Sequence, residues 1–273
     1  MRALPNSSFF RERRANALPS PAEIRAINQQ SGKEEDFYRS PPVEIRSMGL
    51  FVSNVTIIEA ETQIMLRERF QGRLPVPEVF GWAEDGGQTF AYMALIEGEA
   101  LMARWGSLDD NEKQAILKEL HFLIKLLRTL KQDTHDQYID ILGKKPLNDL
   151  LTISARVTGP FCGLDAVQQF QDACGIEIAH QAPIVFTLNA LLPPNIMISA
   201  GPNPKVTALL DWTQAGWYPA YWEYCKASRI SVNPNNFPVT FMDERHSRLD
   251  MILERVEEAD YNPWLYFLLS RGI

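Results

Sequence analysis

The sequence predicts an α+β protein of two lobes, a small antiparallel sheet followed by a larger helical lobe. Three observations carry this. Between residues 43 and 95 apolar and polar residues alternate, and the hairpin signal Glu84-Asp85-Gly86-Gly87 sits inside that stretch. From residue 109 the period lengthens, with Ile116, Leu120, Leu123, Leu127 and Leu130 recurring at helical spacing. Short strand-like runs return over 184–211 as an insert in the helical lobe. The boundaries are drawn at 1–40 for an N-terminal arm and helix, 41–96 for the sheet-rich lobe and 97–273 for the helical lobe.

Residues 1–20 are polar and contain proline, which predicts a loose arm. Ser20-Pro21 opens a helix over 21–39 that ends near Gly32. Val43, Ile45, Met48, Leu50, Val52, Val55 and Ile57 make a strand-like stretch with a turn at Ser53-Asn54. A helix over 59–70 puts Ala60 and Ile64 on one face, and Pro75-Val76-Pro77 breaks it. Val79–Trp82 and Thr89–Leu95 are the arms of the hairpin, and Ile96–Glu99 is a connector. Helices follow over 109–131 and 164–174, then strands at Ile184–Phe186, Ile196–Ile198 and Val206–Leu210, then helix again from Tyr221.

The chain has 273 residues and a net charge of -7. An acidic surface repels phosphate backbones and anionic lipid, so neither nucleic acid nor membrane is an expected partner. Cys162, Cys174 and Cys225 form no CxxC pair and read as reduced thiols. The N-terminus lacks an apolar core of the signal-peptide type, and no apolar run is long enough to span a bilayer. A cytoplasmic protein is expected.

Leu74-Pro75-Val76-Pro77-Glu78-Val79, Glu84-Asp85-Gly86-Gly87, Tyr92–Glu99, Phe186–Ile198, Val206–Trp212, and Gly216–Pro219 with Tyr221–Lys226 resemble the aminoglycoside phosphotransferase / choline kinase-like family, and most of all its fungal branch. The resemblance spans roughly residues 45–227 and implies the bilobal protein-kinase-like fold. Phosphoryl transfer in that family needs a strand lysine on the nucleotide phosphates and a helix glutamate that positions it. It also needs a catalytic aspartate, and an Asn and Asp that hold magnesium.

Matched residue by residue, most of these parts are missing. Ser53 stands at the strand lysine, and no lysine lies between Lys33 and Lys113. The helix glutamate is Glu59 or Glu61, or else neither, since an acidic first turn favours a helix without any function. The family's His-Gly-Asp-Leu-His-Pro-x-Asn loop reads Leu188-Asn189-Ala190-Leu191-Leu192-Pro193-Pro194-Asn195 here, with Ala190 at the base. Asn195 and Asp211 keep the metal positions. Each has a structural alternative: Asn195 braces the loop and Asp211 caps a turn. The sheet lobe has no glycine-rich phosphate loop, and Gly86-Gly87 is explained by turn geometry. No metal and no cofactor are expected. His121, His135, His180 and His246 lack metal spacing, and His180, ahead of the altered loop, is the one to test.

The expected ligand is an apolar small molecule in the cleft that the resemblance implies. Asp211 is the catalytic candidate, as a carboxylate in apolar surroundings suited to acid–base work near neutral pH. Leu188, Ala190, Leu192, Asn195, Trp212, Trp217 and Tyr218 are the substrate-binding candidates. The aromatic cluster Trp212–Tyr224 has a second explanation in core packing. Three functions stand side by side. The first is a repurposed enzyme, a lyase, isomerase or cyclase of secondary metabolism. The second is a non-catalytic scaffold or regulatory protein, and the weakest is a kinase with an unusual base. Oligomeric state is not legible in the sequence.

Overall fold

The computed structural model describes residues 1–31, 41–178, 182–229 and 245–272. The chain divides into two compact units, Met1–Gly98 with Thr207–Thr213, and Glu99–Val206 with Gln214–Ile273.

The first unit begins with β1 (Arg2–Ala3), α1 (Ser8–Arg11) and α2 (Pro21–Ser31), followed by β2 (Val43–Ile45) and β3 (Leu50–Asn54). It continues with α3 (Ile57–Phe70), β4 (Val79–Asp85) and β5 (Gln88–Ala94). Its five strands lie in the order β1-β4-β5-β3-β2, and every pairing is antiparallel. Alternation sorts the side chains by face. Phe90 and Tyr92 of β5 join Leu50, Val52 and Phe80 in one apolar cluster. Ala91 and Met93 join Val79, Trp82 and Ala60 of α3 in another.

The turn expected at Ser53-Asn54 lies earlier. Arg46–Met48 form one 3-10 turn, Gly49 follows in the left-handed conformation, and Ser53 and Asn54 belong to β3. The turn moves because Gly49 is the residue able to take a positive φ without a Cβ clash.

The N-terminal residues are not a loose arm. Arg2 and Ala3 pair with Trp82 and Gly81. Phe9 and Leu18 are buried in the same cluster as Phe80 and Tyr92. The backbone approaches so closely that a Cβ on Gly81 would sit 2.5 Å from the Arg2 carbonyl oxygen. The charged residues Arg11–Arg14 that suggested an arm are exposed, while the Arg2 guanidinium stacks 4.8 Å from the Trp82 ring centre. The predicted helix over 21–39 is described as α2 up to Ser31, and its end near Gly32 lies outside the described residues.

The second unit holds β6 (Glu99–Ala100), α4 (Leu101–Arg104), α5 (Asp110–Leu127), β7 (Tyr138–Ile139), α6 (Leu150–Ser154), β8 (Phe161–Cys162) and α7 (Ala166–Cys174). β9 (Ile184–Thr187) and β10 (Ile196–Ile198) follow, then β11 (Val206–Leu209), which runs into the first unit, and β12 (Gly216–Pro219). Among the described residues, the chain closes with the helices α8 (Trp222–Arg229), α9 (Arg245–Ile252) and α10 (Glu258–Arg271). α5 starts at a capping box in which Asp109 accepts from the Glu112 N–H and Glu112 accepts from the Asp109 N–H. Its Ile116, Leu120, Leu123 and Leu127 are buried, as the helical spacing predicts. The core of this unit is aromatic. Trp222 packs against Phe170, Tyr218, Trp264 and Phe267.

Candidate functional site

In the first unit, position 53 lies in the sheet, where Ser53 of β3 faces Ala91 of β5. Thr56 caps α3 by accepting a hydrogen bond from the Glu59 N–H. The Glu59 side chain is buried at 4% exposure, and its Oε2 accepts a 2.5 Å hydrogen bond from the Thr213 hydroxyl. It is therefore not a solvated helix start. It ties α3 to the segment that follows β11.

Asp211 lies on that segment with φ +58, a left-handed conformation that costs a non-glycine residue roughly 1–2 kcal/mol. On either side the segment is held. The Trp212 indole N–H donates to the Leu209 carbonyl, and Thr213 is bound to Glu59. Asp211 itself is half-buried, and no hydrogen bond or ion pair engages its carboxylate among the described residues. The turn-capping bond considered for it is absent from these contacts.

In the second unit the loop from Leu188 to Asn195 lies between β9 and β10. Leu188 and Ala190 are buried, at 0% and 2% exposure, while Leu192 and Asn195 are half-buried. The loop is pinned from below. Glu223 of α8 accepts from the N–H groups of both Leu188 and Asn189 at 3.0 Å. Its other carboxylate oxygen lies 3.5 Å from the Arg128 guanidinium at the end of α5. Asn189 takes φ +59, and its side-chain amide donates to the Gln214 carbonyl. Asn195 donates through Nδ2 to the Ala190 carbonyl at 3.0 Å, which braces the loop across its width.

Trp217 and Tyr218 reach this region through β12, which pairs with β9 so that Trp217 faces Phe186 and Gly216 faces Thr187. Their side chains diverge, as neighbours on a strand must. Trp217 packs edge-on against Phe186, while Tyr218 is fully buried and stacks on Trp222 in the aromatic core. Burial pushes the Tyr218 hydroxyl pKa well above its ordinary value. Trp212 is buried too, at 1% exposure.

Several groups escaped the reading of the sequence. Glu223 stands between Trp222 and Tyr224, and an acidic residue inside an aromatic run was the available signal. Below the loop, the Lys226 ammonium donates to Asp149 at 2.5 Å and to Gln214 at 2.7 Å, and the Trp222 indole N–H donates to the same Asp149 oxygen. Asp140, beside β12, is fully buried. Burial raises its carboxyl pKa from the ordinary 3.8 to about 7, a hydrogen bond from the Ile141 N–H opposing the shift. His180 lies outside the described residues. Among the described residues, no three His, Cys, Asp or Glu side chains are placed to hold a metal ion. No described helix is long and apolar enough to cross a membrane.

A model of the phosphotransferase enzyme family matches residues 56–250. No curated protein sequence matches the chain. Among solved structures, an aminoglycoside-3'-phosphotransferase of type VIII is 16% identical, with 82% of this chain and 85% of that one covered and a TM-score of 0.52. The aminoglycoside phosphotransferase APH(3'')-Id from Streptomyces rimosus, in complex with ADP and streptomycin, is 10% identical, with coverage of 92% and 98% and a TM-score of 0.52. The streptomycin–ATP ternary complex of APH(2")-IIa is 12% identical, with 93% of each chain covered and a TM-score of 0.50. The shared property is the fold, α+β and bilobal.

Proposed function

The chain belongs to the phosphotransferase enzyme family, and from that premise we propose that it has given up phosphoryl transfer and serves as a small-molecule enzyme of secondary metabolism. The reaction class is cyclisation, isomerisation, dehydration or a similar non-phosphoryl step. Asp211 is the acid–base group, and the apolar loop of Leu188, Ala190 and Leu192 offers Leu192 to an apolar ligand, Leu188 and Ala190 being buried.

One observation carries this reading: the positions that would handle a nucleotide are occupied or committed elsewhere. Ser53 supplies no cation, Glu59 is bound to Thr213, Asn195 is bound to the Ala190 carbonyl, and Ala190 cannot take a proton. What argues against a nucleotide is the lost cation and base: phosphate recognition rests on charge-assisted bonds that Ser53 and Ala190 do not offer, although the Asn195 Oδ1 and the Asp211 carboxylate keep two oxygens of the magnesium pattern. Asp211 is the exception, with a strained backbone and an unengaged carboxylate on an otherwise held segment. Residues kept in sparsely populated conformations cluster at functional sites.

Three measurements test the reading. The protein should not turn over ATP with magnesium against hydroxyl acceptors, and calorimetry should find no micromolar nucleotide affinity, which would amount to about 8 kcal/mol. Asp211→Asn should abolish product formation while leaving the fold and ligand binding intact. Full activity in that variant overturns the assignment. A second reading, a non-catalytic pseudokinase scaffold, draws on the burial of Leu188, Ala190, Trp212 and Tyr218. It predicts that Asp211→Asn changes stability alone.

A further inference from the structure

The second unit carries an open groove of about 520 Å³. That volume falls within the usual range for small-molecule sites, ~300–1,000 Å³. It is lined by Ala155 and Arg156, which follow α6, by the segment Val157–Phe161, by Ala173 of α7 and by Arg271 of α10. It shares no residue with the loop Leu188–Asn195 or with Asp211. Ala155 and Val157 contribute buried apolar surface, and Phe161 is half-buried.

Two exposed arginines, Arg156 and Arg271, line the same groove. Among the described residues no hydrogen bond or ion pair engages either guanidinium. On a chain of net charge -7, two uncompensated cations at one concavity form a local site of attraction for an anion.

The backbone at Arg156 adds an independent observation. Arg156 has φ +59, the Arg156 N–H donates to the Ile153 carbonyl, and the Val157 N–H donates to the Thr152 carbonyl. This is the bonding that ends a helix on a left-handed residue, a position where glycine is favoured. An arginine there carries backbone strain that glycine would not.

We propose that this groove binds a small organic carboxylate with an apolar body. The carboxylate is held by Arg156 and Arg271, whose planar guanidinium groups match its two oxygens. The body lies on Ala155, Val157 and Phe161.

The test is calorimetric titration of the full chain with alkyl and aryl carboxylates, octanoate and 2-naphthoate among them, and with their neutral amides. A carboxylate should bind, and its amide should bind roughly tenfold or more weakly. Arg271→Gln and Arg156→Gly should each cost a similar factor. Arg156→Gly should melt no lower than the parent, because glycine relieves the left-handed strain, so its lost affinity is not lost folding. Ala173→Trp, at an exposed position, should block the groove. The proposal is overturned if no carboxylate of the panel binds at millimolar concentration, if the amides bind equally well, or if either arginine variant keeps the parent's affinity.

Discussion

Replacing Asp140 with asparagine isolates the effect of one buried proton on stability. Asp140 is fully buried, one carboxylate oxygen accepts from the Ile141 N–H at 2.5 Å, and the other has no partner among the described residues. Its carboxyl titrates at about 7 in the folded protein against an ordinary 3.8. Below pH ~3 the group is protonated in both states and costs nothing. As the pH rises the unfolded chain ionises first, while the folded chain keeps its proton until about 7. The folded state therefore binds more protons through this window, and stability falls as the pH rises through it, then levels above pH ~8. Three pH units at about 1.4 kcal/mol each give a loss of about 4 kcal/mol. An asparagine side chain cannot ionise, keeps nearly the same shape and still accepts from Ile141. The assay is urea unfolding by tryptophan fluorescence between pH 4.5 and 8.5 for both proteins. Taking the difference between them removes the titration of every other group. The stability of Asp140→Asn relative to the parent should rise with pH by several kcal/mol. A difference that stays flat within about 1 kcal/mol, or that falls with pH, refutes the reasoning.

Three further outcomes follow from the packing. Glu223→Ala leaves the Leu188 and Asn189 N–H groups unsatisfied and Arg128 uncompensated, and should cost about 3–5 kcal/mol with faster hydrogen exchange at those two amides. Gly216→Ala places a Cβ 2.7 Å from the Asp140 carbonyl oxygen, a backbone atom with little room to move, and should cost about 1–3 kcal/mol in chemical denaturation. Phe9→Ala, at a fully buried position of the N-terminal segment, should cost about 3–5 kcal/mol in the same measurement, whereas a loose arm would tolerate it.

The sequence by itself determined the kind of structure in each segment and which side chains carry no charge or proton-accepting group. The change from a period of two to helical spacing near residue 109 is local, because alternation and the i, i+4 stripe each concern side chains a few positions apart. That Ser53 carries no charge and Ala190 accepts no proton are properties of the residues, legible before any fold. Only the tertiary structure decided which polar groups were already engaged. Glu59 finds its partner 154 residues away in Thr213, and the carboxylate that holds the loop comes from Glu223, 35 residues beyond Leu188. Nothing in the spacing of either pair announces the bond. The same holds for the first twenty residues, whose polar composition concealed Phe9 and Leu18, and for Asp140, whose raised pKa arises from burial. Burial belongs to the packed assembly, since the atoms that exclude water from Asp140 come from segments distant in the chain.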